Sequence, residues 1–188
     1  DLSDKLSATL DLATGTGKSY VMFAIALVML ATKKVSRVLV LVPSVTIESE
    51  LTQKFKDLLG NQQLLKTLGD NFVPPQILNG DSTLVENSIA IENRNAIYKA
   101  QSARNSIVDS LKGNGEKTLV LNDEVHHVYY SETNEWKNFI EDERSNNINF
   151  KYVIGVTGTA YKGKNKSGND YFSNVIYRFS LRDAIEQG

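Results

Sequence analysis

Five short apolar runs punctuate the chain, at Ala8–Leu12, Val38–Val42, Ile89–Ile91, Thr118–Leu121 and Tyr152–Val156. A strand that is apolar at successive positions buries both of its faces, which is the habit of a parallel sheet covered by helices on two sides. Stretches of helical character lie between the runs. Lys18 to Lys33 is apolar nearly all round, as suits a helix buried against such a sheet, while Thr46 to Leu59 alternates charged and apolar residues at roughly helical spacing. The order β-α-β-α predicts an α/β fold, a three-layer α/β/α domain with a mainly parallel sheet. Gly60 to Ser88 carries the weakest pattern, with room for one more strand in "NFVPPQILNG" ahead of a turn, and "YKGKNKSGNDYF" reads as loop. The chain shows no internal repeat and no low-complexity tract.

Composition narrows the classes of function. With 188 residues, 41% hydrophobic and 23% charged, the sequence fits one soluble globular domain. A formal net charge of −1 provides no overall pull toward nucleic acid or membrane, so any polyanion must be held by a local patch. Cysteine is absent, which removes disulfides, thiolate metal sites and a cysteine nucleophile. The longest apolar run, Tyr20 to Ala31, is too short to cross a bilayer and lacks the context of a signal peptide. A cytoplasmic protein with no membrane partner is expected. The abrupt start on a strand-like segment and the stop at "LRDAIEQG" suggest one lobe of a larger protein.

Two segments carry chemistry. "LATGTGKSY" joins the first apolar run to the first helix, and its glycines let successive backbone amides of Thr14, Gly15, Thr16 and Gly17 curl around an anion at a helix N-terminus. Lys18 then reaches the β- and γ-phosphates of ATP, and the Ser19 hydroxyl ligates Mg²⁺. The general pattern G-x-x-x-x-G-K-[ST] is met only in part, because Leu12 occupies its first glycine position. A glycine-rich turn also serves simply to join strand to helix, but the strand before it and the long helix after it favour the phosphate loop.

The second segment, "TLVLNDEVHHVYY", places two acids and the two histidines of the chain within five positions. It suits a metal site on imidazoles, an acid/base pair, or carboxylates serving a metal carried with a nucleotide. Adjacent histidines diverge on a strand or a helix, and no third nitrogen donor exists to complete a site. The carboxylates are therefore the better candidates: Asp123 to hold Mg²⁺ and Glu124 as the base that positions the attacking water.

"ATGTGKS", "NDEVHH" and "GVTGTAY" follow one another in the order, and at about the spacing, of motifs I, II and III of superfamily 2 helicases and translocases. Asp123-Glu124-Val125-His126 matches the D-E-x-H form of motif II, and in that superfamily the Leu12 position usually lacks glycine. Within it the chain resembles the motor (Res) subunit of type III restriction enzymes, on the doubled histidine and on "NDYFSNVIYRFSLRDAIEQG", which is similar to the segment leading out of the first motor lobe. The similarity spans Leu10 to Gly188 and implies that residues 1–188 are the first, N-terminal, of two RecA-like P-loop NTPase lobes.

That resemblance implies further roles. "VLVLVPSVTIESEL" takes the place of motif Ia, with Ser44 and Thr46 facing a nucleic-acid backbone, and "IENRNAIY" that of the next backbone-contacting motif, with Asn93 and Arg94. Helix capping by Ser44 or Asn93 is the competing reading, and the two roles coexist readily. His126 couples the γ-phosphate state to Thr157 and Thr159 of motif III. His127 and Trp136 read as structural, and Lys162, Lys164 and Lys166 as a solvated loop. The implied partners are DNA, as duplex rather than RNA, a second RecA-like lobe supplying an arginine finger, a nuclease domain and a modification (methyltransferase) subunit. Since such a finger is worth roughly 10³ to 10⁵ in rate, the isolated lobe should be nearly inactive. A nucleic-acid-binding switch that does not translocate would carry the same motifs. A P-loop enzyme of small molecules is disfavoured by "TGTA" after the third matched strand.

Overall fold

Strands that bury both faces need helices on both, and the fold supplies them. The computed structural model describes residues 5–78, 83–93, 106–125, 139, 148–158 and 175–186. Seven strands make one sheet: β1 (Leu6–Leu12), β2 (Arg37–Val42), β3 (Gln76–Leu78), β4 (Ser88–Asn93), β5 (Thr118–Asp123), β6 (Tyr152–Thr157) and β7 (Val175–Phe179). Their order across the sheet is β3-β4-β2-β5-β6-β1-β7, and every pairing is parallel. The described helices are α1 (Lys18–Ala31), α2 (Val45–Leu59), α3 (Gln62–Lys66), α4 (Ser106–Leu111) and α5 (Leu181–Glu186), with one 3-10 turn at Gly115–Lys117. Because all strands run the same way, every strand's carboxyl end opens on one edge of the domain.

The two-residue period of a strand splits each apolar run between two cores. From β2, Val38, Val40 and Val42 pack with Met22, Phe23 and Phe55 beneath α1 and α2. Leu39 and Leu41 face the opposite way and join Ile107, Leu111, Val120 and Val153. Phe23 and Phe55 meet edge to face with ring centroids 4.9 Å apart, fastening α1 to α2. Both are fully buried, and each contributes about 1.5–3 kcal/mol relative to leaving such a side chain in water. Local chemistry sets the helix starts. The Ser44 hydroxyl accepts from the Ile47 amide at 3.3 Å to cap α2, and the Asn61 carboxamide accepts from the amides of Gln63 and Leu64 to cap α3.

Several elements differ from their sequence expectations. Helix α1 stops at Ala31 rather than Lys33, where Lys33 enters the left-handed region at φ 55°. Its apolar character exceeds what the sheet covers, so Tyr20 and Val28 stand exposed, and the Lys54 ammonium sits 4.1 Å from the centre of the Tyr20 ring. Strand β4 runs from Ser88 to Asn93, three residues longer than its apolar centre, because the polar residues at both ends are also buried. The extra strand allowed for in "NFVPPQILNG" is β3. Strand β7, α4 and α5 had no sequence expectation: β7 is an edge strand with Ile176, Tyr177 and Arg178 exposed, and six-residue helices are too short to display a period. An ion pair from Arg178 to Asp11 at 2.9 Å ties β7 to β1. Among the described residues no helix is long and apolar enough to cross a membrane.

Candidate active site

The loop from β1 into α1 folds on its own backbone. The Thr16 amide and hydroxyl both donate to the Ala13 carbonyl, at 3.2 and 2.7 Å, while Gly15 and Gly17 adopt φ 85° and 88°. Those angles lie where an L side chain is strained, so the turn requires glycine at both places. A Cβ added at Gly15 would meet nothing within 4 Å, so this side of the loop is open. No side chain caps α1, whereas α2 and α3 are both capped from within the chain. A helix start whose N-cap residue is a glycine, with no side chain to offer as acceptor, suits an anion, through its amides and the positive end of its dipole.

At the end of β5 the two acids diverge. Asp123 is partly buried and accepts from the Glu124 amide at 3.0 Å through Oδ1; Glu124 sits at φ 50° in the left-handed region. The Lys18 ammonium donates to Glu124 Oε1 as an ion pair, with side-chain exposures of 14% and 24%. Burial pushes the Asp123 carboxyl above the ordinary carboxylate range, the Lys18 charge opposes it, the Glu124 charge adds to the rise, and the Glu124 amide pulls it back. In the sheet β6 separates β1 from β5, two strand spacings or about 9.6 Å. Only the loop's excursion and the length of a lysine close that gap.

Two contacts from β6 hold this arrangement. A Cβ on Gly155 would lie 2.9 Å from both methyls of Val125, so the glycine makes the notch in which the residue after Glu124 seats, fully buried. A Cβ on Gly158 would lie 3.0 Å from the Thr14 hydroxyl and 3.2 Å from the Leu12 carbonyl, so the residue that follows β6 packs directly on the glycine loop. Thr157 is wholly buried and stands opposite Asp11 of β1.

Beyond β5, at the same edge, β2 and β4 present the remaining candidates. Thr46 is exposed in the first turn of α2, and Ser44 caps that helix. Asn93, at the end of β4, is 8% exposed and donates from both its backbone amide and its carboxamide to Glu48 Oε2, at 2.8 and 2.7 Å. Lys18, Asp123 and Glu124 are thus gathered with the loop at one place, and Ser44, Thr46 and Asn93 at a second place nearby. His126, Thr159 and Arg94 lie outside the described residues, as do His127, Trp136, Lys162, Lys164 and Lys166.

Residues 3–162 match the family model for the type III restriction enzyme, res subunit. The chain belongs to this family. Its structure is similar to that of the UvsW helicase from bacteriophage T4, at 15% identity and a TM-score of 0.55, covering 93% of this chain and 54% of that one. The Hef helicase domain of Pyrococcus furiosus is 20% identical with a TM-score of 0.62, over 95% of this chain and 35% of that one. A nuclease-deletion mutant of the type ISP restriction-modification enzyme LlaGI, solved with a DNA substrate mimic, is 14% identical with a TM-score of 0.58, over 98% and 19%. At such identities the likeness is one of fold, and the Res-family chain spans about half or less of each of these structures. No curated protein sequence matches it. Family and fold together make the chain a first RecA-like lobe of superfamily 2 helicase type, as its three motifs lead one to expect.

Three positioning features of the Res-family lobe escaped the sequence reading: the Gly155–Val125 notch, the Gly158–Thr14 contact and the Glu48–Asn93 bonds. A glycine inside an apolar strand is a signal for close approach, so Gly155 was open to notice. Glu48 carried no such signal.

Proposed function

We propose that the chain is the ATP-binding and hydrolysing lobe of a DNA-dependent superfamily 2 motor, the restriction (Res) subunit of a type III restriction-modification system. The observation that carries this reading is the convergence of Lys18 and Glu124, 106 residues apart in sequence, over an uncapped helix start. ATP entering the loop offers its phosphates to the α1 amides and to Lys18. The lysine then exchanges Glu124 for the β- and γ-phosphates, and the freed carboxylate orients water for in-line attack. Mg²⁺, when bound, neutralises charge on the phosphates. Asp123 and the Ser19 hydroxyl are the hard oxygen donors that would hold it.

Ser44, Thr46 and Arg94 serve the DNA backbone, and His126 with Thr157 and Thr159 relays nucleotide state to that face. A second RecA-like lobe, a nuclease domain and a modification subunit complete the assembly in the cytoplasm. The deciding experiment is ATP turnover by the full-length protein with duplex DNA, single-stranded DNA and RNA compared. Duplex DNA should stimulate most. Stimulation by RNA but not DNA would overturn the choice of partner, and steady turnover indifferent to every nucleic acid would overturn the motor.

A further inference from the structure

We infer that Glu48 is a positioning residue that clamps the two nucleic-acid-facing segments together, an inference that rests on the function proposed above. Glu48 lies in the first turn of α2, just past Ser44 and Thr46, and its Oε2 accepts from both the amide and the carboxamide of Asn93, 45 residues away. The bonds join the first turn of the helix that follows β2 to the last residue of β4, its neighbour in the sheet, where Val42 stands opposite Asn93. They add a polar link at the sheet edge to the apolar packing of Leu51 and Phe55 of α2 with Ile89 and Ile91 of β4.

Charge makes the arrangement informative. A carboxylate beside a phosphate-binding helix start opposes the phosphate it is meant to welcome, and an acid there is better tolerated when its charge is spent on internal donors. Both of Glu48's bonds end on one oxygen, so a carboxamide oxygen in the same place would accept both. Asn93 also changes role. With its carboxamide N–H given to Glu48 and the residue 8% exposed, it fixes the backbone that leads into Arg94 rather than touching DNA itself.

The test is ATP turnover by the full-length protein titrated with duplex DNA. Glu48→Ala should raise the DNA concentration for half-maximal stimulation about tenfold, which is roughly 1.4 kcal/mol, while the DNA-free rate stays at wild type. Glu48→Gln keeps the acceptor and removes the charge, so its half-maximal concentration should equal the wild-type value or fall below it. An unchanged titration for Glu48→Ala, an equal loss with and without DNA, or a Glu48→Gln variant as impaired as Glu48→Ala would each overturn the clamp. Asn93→Asp gives a second route should Glu48→Ala fold poorly. It sets two carboxylates face to face and should weaken the response to DNA, and adding Glu48→Gln should relieve it; absence of relief overturns the proposal. A wild-type protein that ignores nucleic acid would overturn the motor reading and this role with it, whereas a responsive wild type with an indifferent Glu48→Ala would overturn the clamp alone.

Discussion

The two ends of this one parallel sheet differ in kind. At the amino ends of β2, β4 and β5 lies a depression of about 910 Å³, floored by Leu30, Val35, Leu68 and Phe72 and rimmed by Lys33 and Lys117. The carboxyl ends bring chemical groups together instead: an open glycine loop, a partly buried lysine, and two carboxylates at the tip of β5. Helix α1 shows the same contrast along its own length. Its start has no cap, while its end is closed by the Thr32 hydroxyl donating to the Val28 carbonyl at 2.7 Å. The lysines of the amino-end groove are exposed and strongly hydrated, whereas Lys18 is 14% exposed against an acid. Volume alone therefore does not choose between the ends. Partly desolvated charge gathered from distant positions favours the carboxyl end as the candidate, because moving charge out of water is costly unless something is gained by it.

The largest effect expected is at the carboxyl end. Lys18→Ala deletes the cation offered to the phosphates, and ATP turnover by the full-length protein should fall to background; retention of wild-type phosphate release would remove the distinction between the two ends. Next comes Glu124→Gln, which preserves shape and hydrogen bonding but not the base. It should slow hydrolysis by at least ~100-fold while leaving ATP and Mg²⁺ binding intact, as a binding titration would report. Loss of binding as well would make Glu124 a metal ligand.

Gly155→Ala probes the support beneath that site. The added methyl meets Val125, and overpacking of this kind costs roughly 1–3 kcal/mol, so the melting temperature should drop and turnover should fall as Glu124 shifts. Combining it with Val125→Ala restores the room and should recover part of both. The smallest effect belongs to the amino-end groove: replacing Lys33 and Lys117 together by alanine should leave turnover unchanged and stability within about 0.5 kcal/mol by denaturant midpoint, as for surface changes generally. A marked loss of turnover there would place function at both ends.

The parts of the candidate site that could be read from sequence are those written on contiguous residues. Thr14 to Ser19 run from the glycine loop into the first turn of α1, so their amides and lysine lie together because they are neighbours, and Asp123 and Glu124 sit at a strand end for the same reason. The strands were legible at their centres, where burial on both faces leaves an unbroken apolar run, and less so at their tips, where Ser88 and Asn93 are buried despite being polar. Strand β7 was missed because an edge strand mixes exposed and half-buried positions and so blurs the run.

Sequence by itself determined the α/β class, the five strand centres with the first two helices between them, and which residues are candidates for the phosphate loop and the acids, since each follows from local periodicity or from a short motif with its own chemistry. Only the tertiary structure decided which of these residues meet. That β6 lies between β1 and β5, that Lys18 nonetheless reaches Glu124, and that Asn93 is bound to Glu48 all depend on how strands distant in the chain take their places in the sheet. The physical reason is that a parallel sheet is ordered by crossovers and by burial on both faces, and the choice of neighbour for each strand is a property of the whole core rather than of any stretch of residues.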